Sequence, residues 1–232
     1  MRNRWYRKKT KTNNNYPTHF VKLYKIAVKK EKIILSVFFT LIILYLWIMS
    51  LEFSKIGILT SGGDAPGMNA AIRSFVRSAK FNNLEIIGIK KGFQGLIEGS
   101  FEHLEMRSVS NILGKGGTFL RSARSIDFLN KENRMLSYKN LKEHNIEALV
   151  VIGGNGSLTG ASVFSEEFNI PVIGIPASID NDIFGTDFSI GYNTALETIV
   201  ESIDKIRDTA NSHNRLFFIE VMGRNSGNLA LN

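Results

Sequence analysis

Three short loops rich in glycine and carboxylate each follow an apolar run. KIGILT (55–60) leads into SGGDAPGMN (61–69), ALVVIG (148–153) into GNGSLTG (154–160), and PVIGIP (171–176) into ASIDND (177–182). Glycine lets a polyanion approach main-chain N–H groups, and a helix that follows such a loop presents further free amides. Aspartate beside them suits a hard cation or the acceptance of a proton. Asp180 and Asp182 alternate, so an extended segment carries both on one side. One could act as a base while the other serves a cation. Taken singly, each loop has a plainer reading. GGDAPG (62–67) matches neither the P-loop nor GxGxxG and reads as a strand-to-helix turn with Pro66 at its first helical position. GGNGS (153–157) reads as a helix start capped by Ser157, and the aspartates as Asx-turns. Taken together, the loops are predicted to build one phosphate-binding pocket at the carboxyl ends of neighbouring parallel strands.

The elements that must position these loops follow from hydrophobic period. Lys55–Thr60, 84–90, 148–153 and 171–176 read as strands, and RLFFIEVMG (215–223) as a further buried strand. Helical spacing runs over 67–80, 138–144, 158–168 and 194–210; in the last, Leu196, Ile199, Val200, Ile203 and Ile206 are expected to face inward. Residues 108–113 read as a short helix capped by Ser108, GFQGL (92–96) as a turn, and GKGGTFLRSAR (114–124) as a basic glycine loop. Strands alternating with helices predict an α/β fold, a Rossmann-like sandwich with a parallel sheet covered on both faces.

Composition narrows the chemistry. The 232 residues contain no cysteine, which excludes disulfides, thiol nucleophiles and cysteine zinc sites. The four histidines show no ligand spacing. The net charge of +8 is misleading: residues 1–48 carry eleven Lys/Arg against Glu31 alone, while the remainder carries 18 basic and 20 acidic residues. The globular part is near neutral, and nucleic acid is not an expected partner.

In order and spacing, SGGDAPGMNAAIR, GGTFLRSAR, GGNGS, PASIDND, GTD, RDTANSHNR and EVMGR resemble the bacterial ATP-dependent 6-phosphofructokinases, from about Lys55 to Asn232. The resemblance implies phosphoryl transfer from Mg²⁺·ATP to the 1-hydroxyl of fructose 6-phosphate, giving ADP and fructose 1,6-bisphosphate, in a homotetramer with allosteric sites. It implies that Gly62, Arg124, Ser125, Gly154, Asn155, Gly156 and Ser157 meet the nucleotide. Ser178, Ile179, Asp180, Arg215, Met222, Gly223 and Arg224 would meet the sugar phosphate. Asp180 would be the base, with Ser178 and Arg224 also at the reacting centre. Asn155 and Asp182 would serve the metal, and Arg73, Arg77 and Arg207 an effector nucleotide. Two residues depart from the family pattern: Asn155 stands where the family has Asp, and Ser178 where it has Thr. Pyrophosphate-using relatives carry Asp at the Gly156 position and Lys at the Ala177 position, so Gly156 favours ATP as donor.

The family's subunit is longer. The expected organisation is therefore an N-terminal extension (1–53), an ATP-binding domain (54–190), and the start of a sugar-phosphate domain (191–232) truncated before completion. A catalytically incompetent nucleotide-binding fragment and a pyrophosphate-dependent relative are the alternatives. The extension sends a conflicting message. Residues 33–51 hold no charge and would span about 28 Å as a helix, close to a bilayer core. The basic residues before them would then keep the N-terminus inside and export everything after residue 51, away from ATP. The opposite reading starts the native protein at or near Met49 and makes residues 1–48 a misread upstream stretch. A cytoplasmic protein is the expectation, with membrane anchoring through 33–51 as the alternative.

Overall fold

Alternate residues of the central strands decide which helix covers which face. The computed structural model describes residues 53–223 and 225–232. In β1 (Lys55–Ser61), Ile56 and Ile58 point to one face and Leu59 to the other. In β4 (Ala148–Gly153), Val150 and Ile152 share the first face, and Leu149 and Val151 the second. This is the period-two alternation of a strand buried on both sides. Helix α1 (Met68–Phe81) lays Met68, Ile72, Val76 and Ala79 on the first face. The second face is covered by α2 (Gly92–Glu98), α3 (Lys131–Glu143) and α4 (Asn155–Phe168), through Phe93, Leu96, Leu141, Ala161 and Phe164. Phe164 is fully buried, with the Phe128 and Phe168 rings 5.6 and 5.1 Å away. Truncating such a side chain to alanine costs about 3–5 kcal/mol.

With β2 (Glu85–Ile89), β3 (Phe101–Leu104) and β5 (Val172–Pro176), the sheet runs in the order β3-β2-β1-β4-β5. All neighbours are parallel except β2 and β3. The expected parallel sandwich is thus present, with one antiparallel edge strand that the hydrophobic pattern did not reveal. Helix α5 (Tyr192–His213) and the short α6 (Asn228–Leu231) complete the described elements.

Several local expectations are corrected. Residues 92–98 are helical, because Phe93, Leu96 and Ile97 at helical spacing outweigh two glycines. Residues 108–113 form turns instead of a helix. Arg73 Nη1 donates to the carbonyls of Val109 (2.6 Å) and Ser110 (3.1 Å), groups that a helix would have returned to its own next turn. Pro66 lies before the helix, whose cap is Gly67. The 215–223 segment is not a strand: it has no regular structure, with Leu216 and Phe218 more than 80% exposed. Its apolar run has no partner strand among the described residues. The same holds for α5, where Leu196, Ile199, Ile203 and Ile206 are only half-buried and Val200 is exposed.

The proposed extension 1–53 falls outside the described residues but for Phe53, as do the candidate membrane stretch 33–51 and Arg224. Among the described residues no helix is long and apolar enough to cross a membrane.

Candidate functional site

The sheet order reverses between β1 and β4. From β1 the chain proceeds outward to β2, whereas from β4 it proceeds the other way to β5. In open α/β sheets such a switch point opens a crevice outside the carboxyl ends of the strands, and ligands bind there. Ser61 pairs with Gly153, and Gly153 with Pro176, so the last residues of three adjacent parallel strands stand in one row. Neighbouring strands are about 4.8 Å apart. The loops 61–67, 153–157 and 177–182 therefore leave the sheet within about 10 Å of one another.

Glycine is required where the loops meet. Gly62 has φ +87°, and a Cβ there would lie 3.2 Å from Ser157 Oγ. At Gly153 a Cβ would lie 2.6 Å from the Ser61 carbonyl oxygen. Gly156 differs: nothing lies within 4 Å of the position its Cβ would take, so the first turn of α4 faces open space. Helix α4 begins at cap residue Gly154 with no side-chain cap, and α1 at Gly67 likewise. Ser157 is buried inside the first turn and does not cap it, contrary to expectation. Uncapped N–H groups and the positive end of each helix dipole make both starts suitable for anions.

The third loop is held by its own side chains and by its neighbours. The Asp180 amide donates to Ser178 Oγ (3.2 Å), and Ser189 Oγ donates to the Ser178 carbonyl (2.6 Å). Asn181, at φ 49°, donates to the Asp187 carbonyl (3.1 Å) and accepts from the Ser189 amide (2.9 Å). Asn155 Nδ2 donates to the Asp182 carbonyl at 3.0 Å, which leaves Oδ1 as its atom for a cation. From α6, Asn228 Nδ2 donates to the carbonyls of Asp180 (2.9 Å) and Asn181 (3.1 Å). Sequence reasoning missed Asn228; an asparagine at a helix start reads as a cap and nothing more.

The structure thus brings together Gly62, Gly154, Asn155, Gly156, Ser157, Ser178, Ile179, Asp180 and Asp182. The basic glycine loop runs beside the first of these turns. Thr60 Oγ1 lies 2.8 Å from Thr118 Oγ1 and donates to the Arg121 carbonyl at 3.0 Å, while Asn69 Nδ2 holds the Lys115 carbonyl at 2.9 Å. Arg124, three residues on, is exposed and makes no ion pair among the described residues. Ser125 donates to Gln94 Oε1 (2.8 Å) and accepts from the Phe128 amide (3.3 Å), so its hydroxyl serves the local turn. Gly223 is buried, whereas Arg215 and Met222 are exposed on the unpaired segment. Arg77 is exposed, Arg73 is tied to the 109–110 carbonyls, and Arg207 pairs with Asp204 at 2.7 Å. A separate cavity of ≈ 370 Å³ lies under the basic loop, lined by Asn69, Ser110, Asn111, Lys115, Thr118 and Phe119 among others; it includes no residue of the three site loops except Asn69 at the end of the first.

The sequence model of the family described as "Phosphofructokinase" matches residues 55–232, which include the whole of this site. The chain belongs to the phosphofructokinase family. It is 58% identical over 177 residues to ATP-dependent 6-phosphofructokinase 2 of Bacteroides thetaiotaomicron, covering 76% of this chain and 54% of that protein. With the ATP-dependent 6-phosphofructokinase of Aquifex aeolicus the identity is 57%, covering 76% of this chain and 55% of the relative. The chain spans about half the length of the curated relatives it matches. Among solved structures, Saccharomyces cerevisiae phosphofructokinase superimposes with a TM-score of 0.75 at 40% identity, over 77% of this chain and 27% of that one. A pyrophosphate-dependent phosphofructokinase from Marinobacter aquaeolei shares the fold, with a TM-score of 0.61 at 18% identity, over 69% of this chain and 42% of that one. Membership of this phosphofructokinase family accounts for the Rossmann-like sheet and for three loops gathered at its switch point.

Proposed function

We propose that the whole protein transfers the γ-phosphoryl group of ATP to the 1-hydroxyl of fructose 6-phosphate. The observation that carries this reading is the row Ser61–Gly153–Pro176, which sets two uncapped helix starts beside an aspartate loop. Phosphoryl transfer depends mainly on positioning and on neutralising charge spread over the phosphoryl oxygens. The main-chain amides of 155–157 and the loop at Gly62 receive the phosphates, and Arg124 offsets their charge. Asp180 accepts the proton of the attacking hydroxyl, which strengthens that oxygen as the nucleophile. The new O–P bond forms as the bond to ADP breaks, and ADP leaves with the pair of electrons.

Mg²⁺ fits this donor set in part. Among the described residues no three His, Asp or Glu side chains are grouped to hold a metal ion by themselves. Mg²⁺ that arrives with a triphosphate needs only one or two carboxylates, and Asp182, exposed at the loop, offers one. The ion would shield phosphate charge there. Open space at Gly156 leaves room for an α-phosphate and supports ATP over pyrophosphate as donor. Arg215, Met222, Gly223 and Arg224 are assigned to the sugar phosphate, Arg73, Arg77 and Arg207 to an effector, and the assembly to a homotetramer, all on the family resemblance. A cytoplasmic location follows from where both substrates are found.

Asp180→Asn in the full-length protein tests the reading. It is expected to bind both substrates while turnover falls roughly 10²–10⁴-fold, the range of general-base help. Near-normal turnover would end the assignment. For the 232-residue chain taken alone, exposed Arg215 and Met222 favour a second reading, nucleotide binding without turnover. ATP binding measured beside a coupled turnover assay separates the two.

A further inference from the structure

Three consecutive main-chain carbonyls, those of Asp180, Asn181 and Asp182, all accept hydrogen bonds from asparagine carboxamides outside their own loop. The donors come from two different helices. Asn155 is the first residue of α4, and Asn228 the first residue of α6. We infer that Asn155 and Asn228 are a pair of positioning residues, a latch of two carboxamides that fixes the 180–182 backbone and so the direction of both aspartate side chains. The inference rests on the phosphotransferase reading for its kinetic consequence. It gives Asn155 a role other than the metal contact implied by family resemblance.

The chemistry of the contacts explains the residue type. Each carbonyl needs a donor. A carboxamide supplies one without adding charge to a site that handles phosphates. Carboxylate at position 155 would set two acceptors face to face across 3.0 Å, and the latch would open on that side. Asn228 is itself held, since Tyr192, buried at the start of α5, donates its hydroxyl to the Asn228 carbonyl at 3.4 Å. The latch therefore joins the start of α4, the aspartate loop, α6 and the start of α5. Water could satisfy the same carbonyls, but it would not fix their direction.

Asn155→Asp and Asn228→Ala in the full-length protein test this. Both are expected to speed amide hydrogen exchange across 180–183 in the ligand-free protein, with the melting temperature lowered by only a few degrees. Both should lower kcat roughly tenfold or more, because small misplacement of a reacting group is costly, while the KM for ATP stays within about twofold of wild type. Asn155→Asp should leave the Mg²⁺ concentration for half-maximal activity unchanged. If Asn155→Asp keeps kcat and needs less Mg²⁺, residue 155 is a metal ligand and the latch is wrong. Unchanged hydrogen exchange in both variants also overturns it. Should wild-type protein turn over neither ATP nor pyrophosphate with fructose 6-phosphate, the functional reading falls, and the exchange measurement still decides the latch.

Discussion

Arg121 carries a backbone conformation that suits glycine. Its φ is 60°, its amide donates to the Thr118 carbonyl at 3.0 Å, and its own carbonyl accepts from Thr60. The loop is thus fixed at both ends of the residue, and the side chain is exposed. A left-handed L-residue costs about 1–2 kcal/mol, partly offset by the greater freedom of glycine in the unfolded chain. Arg121→Gly is expected to raise stability by about 0.5–1 kcal/mol, read from the urea midpoint at constant m-value. A lower midpoint would mean that the arginine makes contacts worth more than its strain. At the same scale, the glycines of the three loops were legible in the sequence, because an open turn before a helix leaves a clear signature. Asn228 was not. Its role depends on partners 47 and 48 residues away, which no local pattern records.

Helices and strands are joined by two carboxylates that make the fold sensitive to acid. Arg134 on α3 binds Glu167 on α4 through two 2.7 Å contacts, and also donates to the carbonyls of Phe128 and Leu129. Glu147, just before β4, accepts from the Ser54 amide (2.6 Å) and hydroxyl (3.0 Å), which secures the start of β1. The Arg134 hydrogen bond holds the Glu167 carboxyl below its usual value, and the Ser54 amide, above all, does the same for Glu147. A carboxyl lowered in the folded state contributes stability above its unfolded value of about 4.3 and loses it as pH falls through the folded one. The melting temperature should therefore be level from pH 7 to about 5 and decline below about 4. Glu147→Gln with Glu167→Gln should flatten part of that decline. An acid limb as steep as that of wild type would assign the loss to other groups. At the element scale, β1 and β4 were readable as short apolar runs bounded by glycine loops, and α1 and α4 by their helical spacing. Strand β3 was hidden because FEHL (101–104) has little apolar pattern and is defined by its partner β2. The 215–223 run misled for the opposite reason: its residues are strongly apolar, and burial depends on a partner that the described chain does not supply.

At the scale of the whole molecule, the described residues leave several large apolar side chains of the C-terminal part exposed. Ile173 on edge strand β5 is 65% exposed, and Phe184, Leu216 and Phe218 are exposed by more than 80%. An edge strand with no further partner among the described residues, together with exposed aromatics, invites association between copies. The chain alone is expected to bind a hydrophobic dye, to scatter light in a concentration-dependent way, and to show no measurable phosphofructokinase turnover. Recovery of monomeric protein with ordinary kinetics would refute this. The pairing of β1 with β4 also sets when the site can exist. Ile56 must find Ala148, a separation of 92 residues, whereas β2 meets β3 across the short helix α2, Ile89 pairing with Phe101. Loop closure over such a distance is slow, and contacts distant in sequence limit the folding rate. The seam expected to form late is the one from which the phosphate loops emerge. Nucleotide binding is therefore expected to report completion of the β1–β4 seam, and a nascent chain cannot form its phosphate-loop frame before β4 itself has been made.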